Sequence, residues 1–110
     1  AQIKPFGKTP DRINRMQHAA IIVKDPQQQF EGLRTSVGLL TAGMEVQVFV
    51  LHHEILNMNK ALRDELAVLD SNGGLRFSNN MENARKHGFR HITIDRAADQ
   101  IRRADIIIPF

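Results

Sequence analysis

Two spacings of apolar residues alternate along the chain. Short unbroken apolar runs mark strands, and stripes that recur every three or four residues mark helices. Ala19-Ala20-Ile21-Ile22-Val23 is such a run, rich in β-branched residues, and predicts a strand covered on both faces. Asp25-Pro26 follows, a good N-cap and then a residue favoured at the first helical position. A helix over 26–42 is expected, with Phe30, Leu33, Val37, Leu40 and Met44 on one stripe and Gly43 as its stop. Gly38, inside that helix, suggests close packing against a strand. Val46 to Leu51 predicts a second strand. A helix over 57–71 should bury Met58, Leu62, Leu66 and Leu69, and Asn72-Gly73-Gly74 should end it. Leu75 to Ser78 predicts a third strand, and 80–87 a helix closed by Gly88. His91 to Ile94 is expected to be the fourth strand. Asp95 should cap a helix over 97–103 with Ala97, Ile101 and Ala104 inward. Asp105 to Ile108 is the expected fifth strand, closed by Pro109.

This β-α-β-α-β-α-β-α-β order predicts a single-domain three-layer α/β/α sandwich around a five-stranded parallel sheet. Residues 18–110 form that domain. Residues 1–17, with Pro5, Gly7 and Pro10 and no clean period, are expected to be an extended arm, with a helical turn at Arg12 to Met16 and with Phe6, Ile13 and Met16 as its anchors.

Charge sharpens the picture of the arm. The net charge is +3, and residues 1–18 carry Lys4, Lys8, Arg12 and Arg15 against Asp11 alone. The rest of the chain therefore balances to zero. Such an arm can steer an acidic partner, but four dispersed charges attract a phosphate backbone only modestly. The six Phe, without Trp or Tyr, supply few rings for stacking bases, which counts against a nucleic-acid partner. Cysteine is absent, which excludes disulfides, thiolate metal sites and a thiol nucleophile. No apolar run approaches the ~20 residues needed to span a bilayer. No membrane partner is expected, and the cytoplasm is the default location.

In an open parallel sheet, ligands bind beyond the carboxyl ends of the strands. The residues expected there are Asp25, then His52, His53 and Glu54, then Ser78, Asn79 and Asn80, then Asp95 and, after the last strand, Pro109 and Phe110. Asp25, His52, His53, Ser78, Asn79 and Asn80 are the ligand-binding candidates. The Ser78 to Asn80 turn could hold an anion with its amides and the positive end of the next helix, or simply cap that helix. A histidine of the His52-His53 pair could act as a general acid–base. A metal site at His52-His53-Glu54 needs the chain to turn there, and the i,i+4 histidine pair or cysteine set that marks strong sites is missing. No phosphate-binding glycine pattern follows the first strand, which counts against dinucleotide cofactors. No catalytic residue and no cofactor is assigned.

The opening strand and helix, Ile21 to Pro26 and Glu31 to Leu40, the segment Gly43 to Phe49, and Phe77-Ser78-Asn79-Asn80-Met81 with Gly88 together resemble the DsrE/DsrF-like family. These are small flavodoxin-like α/β proteins of sulfur relay and sulfur oxidation. In sulfur-carrying members the turn after the third strand holds a persulfide cysteine. The resemblance puts Ser78, or Asn80 two residues on, at that position. It implies a member without the catalytic cysteine: a non-enzymatic ligand- or protein-binding subunit linked to sulfur metabolism. It also implies a homo-oligomer (dimer, trimer or hexamer), or a relay component beside a cysteine-bearing partner. From the residues alone, a small hydrolase or metal enzyme using His52 or His53 stands as the alternative.

Overall fold

The computed structural model describes residues 2–3 and 17–110. Among them, in chain order, are β1 (Gln2–Ile3), β2 (His18–Val23), α1 (Gln29–Thr41), β3 (Glu45–Val50), α2 (Lys60–Ser71), β4 (Leu75–Ser78), α3 (Met81–His87), β5 (Arg90–His91), α4 (Ile94–Arg102) and β6 (Ile106–Pro109). A 3-10 turn at Pro26–Gln28 leads into α1, with Asp25 as its cap and Pro26 in the first turn. The strands lie in the order β1-β6-β2-β3-β4-β5. The five from β6 to β5 are all parallel, as expected of the sandwich, and β1 is an antiparallel addition with Ile3 opposite Ile106. The expected helical turn at Arg12 to Met16 and the anchors Phe6, Ile13 and Met16 lie outside the described residues.

Alternate residues of each strand face opposite layers. Ile21, Val23, Val46, Val48 and Val50 pack with Leu33 of α1 and with Leu62, Leu66 and Leu69 of α2. Ala20, Phe49 and Phe77 pack with Ala97 of α4 and with Ala104. Phe49 and Phe77 are register partners and stack at 5.3 Å between centroids. One face of the sheet thus carries α1 and α2, with α3 beside α2, while the other carries α4. The chain leaves β4 toward the first face and leaves β5 toward the second. The two connections part between β4 and β5, the kind of switch point where open α/β sheets form a crevice.

Several boundaries differ from expectation for identifiable reasons. α2 begins at Lys60, not 57: Asn57 sits at φ 57°, off the right-handed helix, and the Asn59 side chain caps the Leu62 N–H. β5 ends at His91, and α4 starts at Ile94 because the Thr93 hydroxyl accepts from the Arg96 N–H. Asp95 is therefore in the first turn of α4 and is not its cap. The glycine of close approach in α1 is Gly32: a Cβ there would stand 2.5 Å from Val23 Cγ2, whereas Gly38 faces open space. Gly43, Gly73 and Gly88 take the positive φ values that end their helices.

Candidate functional site

β3 and β4 end side by side, with Val50 opposite Ser78. Beyond Leu51 the chain turns sharply, and His52 sits at φ 73°, a left-handed conformation that a residue with a side chain adopts only when its surroundings hold it. Asn79 supplies that hold. Its Oδ1 accepts from the His52 N–H at 2.8 Å, and its Nδ2 lies 3.5 Å from His52 Nδ1. Two of the expected site residues are thereby joined across the strand ends.

Ser78 faces the other way. It is fully buried, and its hydroxyl oxygen accepts from the Asn80 N–H at 3.1 Å and from Asn83 Nδ2 at 2.9 Å. Asn83, equally buried, also donates to the His53 carbonyl at 2.9 Å and accepts from the Ile55 N–H at 2.8 Å. One amide thus ties α3 to β4 and to the loop after β3. Asn80 caps α3, its Oδ1 accepting from the N–H groups of Glu82 and Asn83. Asp25 caps the 3-10 turn through the Gln27 N–H and bonds none of the other candidates. Asn83 was missing from the sequence-based set. An asparagine in a helix interior is a poor helix former unless its side chain has other work, and that was its only signal.

His53 Nδ1 lies 3.2 Å from the Leu51 carbonyl, which fits an Nδ1–H donor and leaves Nε2 an acceptor. Nε2 is buried and has no hydrogen-bond partner among the described residues. Gln29, at the start of α1, donates its Nε2 to the Leu56 carbonyl, and its Oε1 is likewise buried without a partner. Glu54 is paired with Lys86, and that contact, with Glu82 beside it, holds the Lys86 ammonium above its ordinary value. Leu56 and Met81, on the loop after β3 and at the first position of α3, are exposed apolar side chains at this pole. No group of three metal-ligating side chains comes together among the described residues.

A separate cleft of about 330 Å³ opens between α2 and α3, lined by Met58, Arg63, Leu66, Asp70, Arg76 and Lys86. Arg76 is engaged within the fold. It donates from Nε and Nη2 to the two Asp70 oxygens and from Nη1 to the His87 carbonyl, and it lies over the Phe89 ring. Those hydrogen bonds hold the Asp70 carboxyl below its ordinary value, although partial burial opposes them. The cleft is a wall built round a saturated ion pair.

Compared with known proteins, the chain matches no family model, no curated protein and no solved structure.

Proposed function

We propose that this chain is a non-enzymatic binding subunit that takes a small polar ligand at the carboxyl ends of β3 and β4. The observation that carries the proposal is the unpartnered, buried Nε2 of His53. Buried polar groups are almost always hydrogen-bonded, so the missing partner is a ligand atom or a water at this pole. Asn83 fixes the His53 backbone, and Asn79 fixes the turn beside it. Among the first candidates, His52, His53 and Asn79 would meet the ligand. Asn80 and Asp25 would border it through the helix ends they cap, and Ser78 would act as the inner brace. The absence of a hydroxyl paired with a histidine at these strand ends favours binding over hydrolysis. The resemblance to DsrE/DsrF-like proteins adds the expectation of a link to sulfur metabolism.

The test is an NMR titration with sulfate, thiosulfate and phosphate in turn, following the histidine rings. Saturable movement of the His53 ring together with the Asn79 amide, with the remote His18 ring unmoved, is expected for at least one of the three. Uniform drift of all rings, or no movement of His53, overturns the reading.

Leu56 and Met81 favour a second layer to this function, a protein partner that covers the same pole. A second copy is the partner the resemblance implies. Sedimentation of Leu56→Ser/Met81→Ser beside the parent chain checks it: the parent should assemble and the variant should shift toward monomer. A monomeric parent, or an unchanged assembly in the variant, removes this layer.

A further inference from the structure

The face of the sheet that carries α4 holds a second feature, independent of the function proposed at the His53 pole. Two hollows, of about 240 Å³ and 190 Å³, flank α4 and share Gln100 between them. The first opens at the β4/β5 switch point over Phe77, with Arg90, Thr93 and Arg96 around it. The second opens beside Gln47, with Arg103 and His18 at its rim. Arg96, Gln100 and Arg103 are spaced four and three apart, so they line one side of α4. Arg90 is the register partner of Phe77 and stands on the same sheet face. The result is a groove floored by Phe77 and Gln47, with a helix wall on one side and Arg90 on the other.

Its electrostatics are one-sided. Among the described residues neither hollow is lined by an Asp or a Glu, and the carboxylates nearest the second, Glu45 and Asp105, are engaged by His18 at its rim. Several cations elsewhere are matched: Arg76 with Asp70, Arg85 with Glu82, Lys86 with Glu54, Lys60 with Asp64, Arg102 with Asp99. No such pair involves Arg90, Arg96 or Arg103 among the described residues. One further atom narrows the occupant. Gln100 Oε1 is buried, has no partner and needs a donor. A phosphate chain offers no N–H, whereas a peptide backbone does. A nucleic acid would also look for a ring to stack on, and Phe77 is only 8% exposed.

We infer that this groove binds an extended acidic peptide segment of a partner protein. Arg96 and Arg103 are about 10 Å apart along the helix axis, and acidic side chains on one side of an extended strand recur about every 7 Å, so flexible guanidinium groups can meet successive carboxylates. The residues between the acids face the floor at Phe77. A backbone N–H reaches Gln100.

The probe is a fluorescein-labelled hexapeptide alternating glutamate and valine, followed by anisotropy at low ionic strength on the whole chain. Saturable binding is expected. Arg96→Glu/Arg103→Glu, both at exposed positions, should weaken it by at least about tenfold, as should replacing the probe's glutamates by glutamine. Arg34→Glu, an exposed change on α1 across the sheet, should not. Circular dichroism of each variant checks that the fold is intact. The inference is overturned if the double reversal leaves binding unchanged, if nothing saturates up to about 1 mM peptide, or if hexathymidylate binds as tightly as the peptide.

Discussion

The strand-end turn and the α4 groove are both polar, yet their polar groups are in opposite states. At the turn, Ser78, Asn79, Asn80 and Asn83 are hydrogen-bonded to the chain itself, and the two most polar-looking buried positions are saturated. In the groove, three arginines face no acid and one glutamine oxygen has no donor. The serine and asparagines at a favourable topological position can thus be scaffold around one open group, the His53 Nε2, while in the groove the open groups sit where the sequence shows only a helix with arginines. Substitutions at the turn should cost stability and those in the groove should cost binding alone. That contrast can be attacked at each end.

The largest effect is expected at Asn83. Asn83→Ala leaves the Ile55 N–H, the His53 carbonyl and the Ser78 hydroxyl without their shared partner in a fully buried place. Each such group costs about 1–3 kcal/mol, and the losses overlap, so about 4 kcal/mol is expected in urea denaturation. A loss under about 1 kcal/mol would mean that the turn tolerates water and that its saturation is not structural.

Arg76 comes next. Arg76→Met keeps much of the apolar stem but removes the guanidinium from Asp70, the His87 carbonyl and the Phe89 ring, for an expected loss of about 2 kcal/mol at neutral pH. The pH dependence has a definite sign. Asp70 is held below its ordinary value in the folded chain, so the contribution is full above the unfolded value of about 4 and is lost as pH falls through the lower folded value. The stability gap between parent and variant should therefore be flat above about pH 5 and should narrow below about pH 4. A gap that widens on acidification would contradict the assignment.

The fold of this molecule is far more legible in its sequence than its site. β4 was legible to the residue, because Leu75 and Phe77 alternate with polar residues between two glycines and an asparagine turn. The stripes of α1 and α2 were legible because a helical period needs only local spacing. The start of α4 was not, since Thr93 and Asp95 are both good caps and only the end of β5 at His91 decides between them. Nor was Gly32: its need for glycine arises from Val23, nine residues away and on another element. The site suffered most. The direction of Ser78 depends on an asparagine one helical turn beyond it. The switch point depends on β6 docking against β2, not against β5, and alternation of strands and helices does not encode that choice.

A smaller effect is expected at Ser78, where the family resemblance would put a sulfur. Ser78→Cys replaces an oxygen acceptor with a weaker one for the Asn80 and Asn83 donors, at about 1 kcal/mol. The new thiol should be shielded from a disulfide reagent in the folded chain, while Asn80→Cys, at a half-buried position, should react. Equal rates would show that the turn opens and would restore position 78 as a place for sulfur chemistry. Fast reaction at position 80 alone would move the resemblance two residues along.

The smallest stability effect belongs to the groove, and its smallness is the point. Arg90, Arg96 and Arg103 make no ion pair among the described residues, so Arg90→Gln, Arg96→Gln and Arg103→Gln together should change the unfolding free energy by no more than about 0.5 kcal/mol per site. The sign should favour the variant at low ionic strength, because three cations on one face repel one another. Added salt screens that repulsion over about 10 Å at 0.1 M, so it should raise the melting temperature of the parent more than that of the variant. A triple variant that melts well below the parent would mean that these arginines hold the fold together as Arg76 does. The contrast between a saturated turn and an unsaturated groove would then fail at the groove.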